Sequence, residues 1–154
     1  MRCRCVALLR SLWREPTISF EGRWHHVTKA GIRPRPFGGT LPIWMGGSHE
    51  RVIDRVGRLG DGWFPLRIDT DQVISGIGRI RAAAIEAGRD ADAIGTQGSI
   101  TAGGDTADQI EAAAKLEKAG ATHAALFTAG AGFSTPQQHI DAITSFAEQY
   151  AAGS

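Results

Sequence analysis

The residues best placed to do chemistry are Gly46, Gly47, Ser48 and His49, which end a short apolar run, Leu41 to Met45, and open a helical pattern. Adjacent glycines let a backbone approach a ligand closely, and the N–H groups of a helix's first turn attract anions. A phosphate or another anion would suit that spacing. The same grammar also makes an ordinary turn between a strand and a helix, with His49 an inert first-turn side chain. The remaining histidines offer less. His25 and His26 are adjacent on an expected strand, so their rings face opposite ways and cannot share a metal. His123 precedes the last expected strand, and His139 lies on a helix whose other face is core. No zinc-ligand spacing emerges. Cys3 and Cys5, the only cysteines, are two apart on a helix, poor geometry for a redox pair.

The elements that must position these residues follow from the spacing of apolar residues and glycines. Leu41 to Met45, opened by Pro42 and cut by Gly46 and Gly47, suits a buried strand ending in a tight turn. Ser48 is the expected N-cap of the next helix, with Glu50 in its first turn, Val52, Ile53, Val56 and Leu59 on one face, and Gly60 closing it. Gly62 to Pro65 reads as a second strand, and a strand, helix, strand unit favours a parallel sheet. A helix from Asp69 or Thr70 carries Val73, Ile74, Ile77, Ile80, Ala84 and Ile85 on one face and stops at Gly88. Thr96 to Ala102 is the third strand, weakened by Gly98. Asp105 or Thr106 caps the helix that runs to Ala119. Ala124 to Thr128 is the last strand, and Thr135 with Pro136 at the first helical position opens a final helix. Its Ile140, Ile143, Ala147 and Tyr150 are expected to face inward.

Before this series, residues 3 to 13 read as a helix ended by Pro16, and residues 17 to 27 as two strands around Glu21 and Gly22. That hairpin breaks the alternation. Residues 14 to 40 are therefore taken as a hairpin and linker insertion within a single domain spanning residues 1 to 154. Four strand-helix units suit either half of an eightfold (β/α) barrel or a small open doubly wound sheet, and spacing alone does not separate them. Asp61, which precedes the second strand, lies at the face opposite the one where barrel sites form, so it is expected to fix a turn.

Composition excludes several function classes. With 42% hydrophobic and 21% charged residues and no apolar run near the ~20 residues of a membrane span, the chain is expected to be a cytoplasmic globular protein. Seventeen basic residues balance sixteen acidic ones without a basic block, so the electrostatic footprint of a nucleic-acid binder is missing. The basic then apolar start, "MRCRCVALLRSLW", is interrupted by Arg10 and followed by no small-residue cleavage site, unlike a signal peptide.

"LWREPTISFEGRWHHV", "LPIWMGGSHERVIDRVGRLGDGWFP" and "EAGRD" together resemble the C-terminal half of the luciferase-like monooxygenase superfamily, especially its actinobacterial deazaflavin-dependent oxidoreductases. The resemblance spans most of the chain. Its most specific part is IW-x-GG, an Arg-rich helix and GR-x-GDGW at fixed distance. It implies the C-terminal half of a (β/α)8 TIM barrel, four βα units with parallel strands, preceded by a helix and an inserted β-hairpin. It also implies coenzyme F420, or alternatively FMN, at the C-terminal mouth. Backbone amides of Gly46, Gly47, Ser48 and His49 would contact the cofactor's chain and phosphate region. Arg67 follows the second strand on a loop that carries substrate-binding residues in related sugar-phosphate dehydrogenases. It would hold an anionic substrate group, the alternative being a solvated surface arginine. Thr128 to Thr135, with Gly130 and Gly132, is a weaker phosphate candidate after the last strand.

The family's acid-base residues and most ring contacts lie on the first four strands, which nothing in this chain matches, so no catalytic residue is assigned. The expectation is an F420-dependent oxidoreductase, truncated from a longer ancestor whose helix the initial methionine interrupts, acting on a small-molecule substrate. The alternatives are an FMN-dependent monooxygenase of the same superfamily, and a non-catalytic half-barrel that binds a phosphorylated ligand or partner subunit. Open sheet edges imply a homo-oligomer or a complementing N-terminal half-barrel chain.

Overall fold

A computed structural model describes residues 4–65 and 68–153, which fall into two compact units, one ending at Ile43 and the other beginning at Trp44. In the first, helix α1 (Arg4–Arg14) precedes a two-stranded antiparallel hairpin of β1 (Ile18–Glu21) and β2 (His26–Ala30). Arg4 donates to the Glu21 carbonyl at 2.7 Å, and Val6 and Ile18 are its buried apolar residues. His25 lies before β2 rather than on it, so the alternation of a strand does not set the direction of its ring as expected. His26 instead meets Glu21 across the hairpin, Nδ1 to Oε2 2.5 Å, where the register places the two residues opposite each other.

The second unit alternates strand and helix: β3 (Trp44–Gly46), α2 (Glu50–Leu59), β4 (Gly62–Phe64), α3 (Thr70–Glu86), β5 (Gly95–Thr101), α4 (Thr106–Lys118), β6 (His123–Phe127) and α5 (Pro136–Gly153). The four strands lie in sequence order and are all parallel, so the loops after them share one edge. The helix starts obey local chemistry. Asp69 accepts from Gln72 N at 2.8 Å while the Gln72 side chain accepts from Asp69 N at 3.2 Å, a complete capping box, and Asp105 caps α4 through Ala107 N.

The core lies between the sheet and the helices that cover one of its faces, where Ile53, Val56, Trp63, Val73, Ile77, Ile80, Ile100 and Leu116 are buried. Each such side chain contributes about 1.5–3 kcal/mol by leaving water. On β5 the buried residues alternate with less buried ones: Thr96, Gly98 and Ile100 face the helices, and Gly95, Gln97, Ser99 and Thr101 face the other way. Gly98 does not interrupt this seven-residue strand. It makes room for Leu116, whose methyl group would lie 2.3 Å from a β-carbon there.

The first strand is shorter than its apolar run and starts at Trp44, leaving Leu41 and Pro42 outside it. The last helix departs from its expected face. None of its described residues is fully buried; Phe146 and Tyr150 pack against the core, while Ile140 and Ile143 stay 53% and 49% exposed. The reason is topological. It follows the edge strand β6 and packs along α4 on one side only, so no neighbour covers its remaining apolar residues. Among the described residues, no helix is long and apolar enough to cross a membrane.

Candidate functional site

Gly46 ends β3, and the chain then turns through Gly47 at φ +116, a conformation that side-chain-bearing residues rarely adopt. Both polar backbone groups of Gly47 are held by the next strand. Its N–H donates to the Phe64 carbonyl at 3.2 Å, and its carbonyl accepts from the Trp63 indole Nε1 at 2.8 Å. The turn delivers the chain into α2, whose N-cap is His49 and not the expected Ser48. His49 has extended dihedrals, its Nδ1 accepts from Arg51 N at 3.1 Å, and its carbonyl accepts from Val52 N at 2.8 Å. Ser48 has the residue type that helix starts prefer, but here the His49 ring nitrogen makes the capping bond one residue on.

The arrangement can receive an anion. The first turn of α2 presents backbone N–H groups that have no acceptor within the helix, at the sheet edge where the loops gather, and Gly46 and Gly47 put no side chain before them. One of those groups, on Arg51, is taken by the His49 ring. That bond requires a Nδ1 free of its proton, which places the neutral ring's hydrogen on Nε2. Glu50 in the same turn is paired with Arg79 Nη1 at 3.1 Å, so its charge is partly offset. The Arg79 guanidinium also binds Asp54 Oδ1 at 2.7 Å and holds that carboxyl below its usual range.

The second Gly-rich loop is arranged differently. Gly130 and Gly132 have φ of +80 and +82, but the start of α5 is closed by its own side chains. Gln138 Oε1 accepts from Ser134 N at 2.7 Å and Thr135 N at 3.1 Å, and Thr135 Oγ1 faces Gln138 N at 3.4 Å. Thr135 and Pro136 therefore start the helix as expected, and its end is already satisfied. Arg67 lies outside the described residues, as does Cys3; Cys5 is exposed. Asp61 sits at the opposite edge, just before β4, its carbonyl accepting from Gly95 N at 3.0 Å. His123 is also at that edge, its ring against Trp44 with centroids 5.2 Å apart. An open groove of about 400 Å³ lies between α3 and α4, lined by Asp69, Asp71, Asp108, Glu111 and Lys115. Its surplus of carboxylates would repel an anion, and none of the turn residues reaches it.

Sequence reasoning missed Trp63 as part of this site. The indole was legible only as an apolar strand residue, because its partner Gly47 is sixteen positions away and nothing local announces the bond.

The family model described as luciferase-like monooxygenase matches residues 5–153. The chain belongs to this family. Among curated relatives of this luciferase-like chain, an F420-dependent glucose-6-phosphate dehydrogenase of Mycobacterium leprae is 33% identical over 94 residues, covering 58% of this chain and 27% of that protein. A solved F420-dependent secondary alcohol dehydrogenase superposes with a TM-score of 0.69 at 16% identity, over 80% of this chain and 54% of the other. The coenzyme F420 dependent tetrahydromethanopterin reductase of Methanopyrus kandleri gives a TM-score of 0.70 at 13% identity, over 90% and 59%. At such identities these structures speak for the fold. The chain spans little more than half the length of these solved luciferase-like structures, and about a quarter of the curated relative. Its four βα units are those of half a (β/α)8 barrel.

Proposed function

We propose that this luciferase-like chain binds coenzyme F420 at the loop edge of its sheet, as the C-terminal half of an oxidoreductase that passes a hydride between the deazaflavin and an organic substrate. The observation that carries this reading is the Gly46–His49 turn, a side-chain-free approach to the N-terminus of α2 held in shape from β4. The F420 dependence of its curated relatives supports the same cofactor. When bound, the cofactor supplies the hydride chemistry. The chain's own share is positioning: the α2 amides hold the phosphate-bearing chain, the glycines admit it, and Arg67 takes an anionic group of the substrate. No side chain of this half is assigned a proton-transfer role.

The sheet face away from the helices bears Trp44, Phe64 and Phe127, each more than a third exposed, and among the described residues β3 and β6 are paired on one side only. A complementing first half-barrel or a second copy of this chain would cover that face and close the sheet.

The test is titration of the purified chain with coenzyme F420 and, separately, with FMN, followed by fluorescence, with mass measured by light scattering on the same sample. Micromolar binding of F420 supports the reading, and binding of FMN in its place moves the chain to the monooxygenase branch. Binding of neither, with inorganic phosphate still protecting the turn in hydrogen exchange, would replace the oxidoreductase with a non-catalytic phosphate-ligand binder.

A further inference from the structure

We propose that Trp63 is the positioning residue of the cofactor turn, holding Gly47 so that the start of α2 stays open toward the loop edge; the inference rests on the F420 reading above. Two adjacent glycines form the most freely rotating link a chain can have, and left alone they would sample many shapes that bury or misdirect the amides that follow. Here β4 removes that freedom at both ends of one residue, the Phe64 carbonyl taking the Gly47 N–H and the Trp63 indole donating to the Gly47 carbonyl at 2.8 Å. The indole cannot swing away. It has no exposed surface, and its far ring edge lies against Gly76 of α3, where a β-carbon would stand 2.3 Å from Cη2. A tryptophan has one polar atom, a donor with no acceptor capacity, and here it is spent on the turn and not on the core. The wedge thus links α3, in the helix layer, to the shape of a loop that α3 does not itself form.

The test separates a positioning role from a structural one. Trp63→Phe keeps an aromatic wedge and removes the donor; Ile80→Val removes one methyl group from the same core and touches no part of the turn. F420 affinity, thermal midpoint and amide exchange of residues 48 to 50 are measured for the wild type and both variants, alongside Gly47→Val. The expected result is a tenfold or greater loss of affinity and faster exchange of those amides in Trp63→Phe, with Ile80→Val binding as wild type despite its own, smaller drop in midpoint. Trp63→Phe binding within twofold of wild type overturns the inference, as does an equal loss in Ile80→Val. Should Gly47→Val lose binding while Trp63→Phe keeps it, only the inference falls. If Gly47→Val binds normally, or the wild type binds no cofactor, the cofactor reading of the turn falls and takes the inference with it. If Trp63→Phe does not fold, the wild-type indole resonances decide. A Trp63 N–H that resists exchange, unlike that of exposed Trp24, and shifts on addition of F420 supports the role; one that exchanges as fast as Trp24 overturns it.

Discussion

Arg89 reaches back across the end of α2 to donate from Nη2 to the Gly60 carbonyl at 2.6 Å. Its Nη1 donates to the Gly57 carbonyl at 2.7 Å, so one planar guanidinium satisfies carbonyls that the helix end leaves without partners. Asp61 lies 3.5 Å from the same group. The clamp joins the loop after α3 to the loop before β4, at the edge opposite the Gly46–His49 turn.

Replacing Arg89 should therefore cost stability and spare the site. Arg89→Met is expected to lower unfolding free energy by about 2–3 kcal/mol, because two charge-assisted bonds go and carbonyls are left unpaired. Arg89→Lys should recover only part of that, since an ammonium cannot span both carbonyls. Urea denaturation measures the loss, and F420 affinity of the folded fraction should match wild type.

The pair of Asp54 and Arg79 predicts a pH dependence. The hydrogen bond from Arg79 lowers the Asp54 carboxyl below its ordinary 3.8, so the unfolded chain binds that proton more readily than the folded one. The pair's contribution is fully present above the ordinary value and is lost as pH falls through the lowered one. With both side chains a third or more exposed, solvent screens the pair and keeps that contribution small. Urea midpoints of wild type and Asp54→Asn should differ at neutral pH and converge as pH falls through the lowered carboxyl value; a gap that persists or widens in acid contradicts the assignment.

Gly47→Val addresses the turn directly. Forcing a β-branched residue to φ +116 costs about 1–3 kcal/mol, and its β-carbon would meet the Val52 methyls at 3.6 Å. The expected outcome is loss of F420 binding with a circular dichroism spectrum near that of wild type, because the strain is confined to a loop.

Gly98→Val tests the packing of α4 on the sheet. The side chain would enter space already filled by Leu116, which must shift along with the helix that bears it, at a cost of about 1–3 kcal/mol. A thermal midpoint unchanged by this substitution would contradict the close approach of α4 to β5.

Much of the second unit was legible because its punctuation is local. Asp69 with Gln72, Asp105, and the glycines at positions 60, 88 and 120 act within a turn of themselves, and each ends or starts a helix where expected. Choices between neighbours were less legible: Ser48 has the residue type preferred at a helix start, yet the next residue, His49, holds the cap through its ring nitrogen. Burial of α5 was not legible at all, since Ile140 has the spacing of a core residue and lacks only the neighbour that would make it one. The Trp63 indole falls in the same class, its hydrogen bond made to a partner brought near by the crossover through α2.

Trp44 lies flat across Gly62 and Gly95 on the uncovered sheet face, close enough that a β-carbon at position 62 would stand 2.2 Å from its ring, and it keeps 37% of its surface open to water. An indole in that setting is a built-in optical gauge. Its emission shifts to shorter wavelength when water leaves it, so in a chain whose other three tryptophans are replaced by phenylalanine the colour of the emitted light would record whether that face is bare or covered, without any added label.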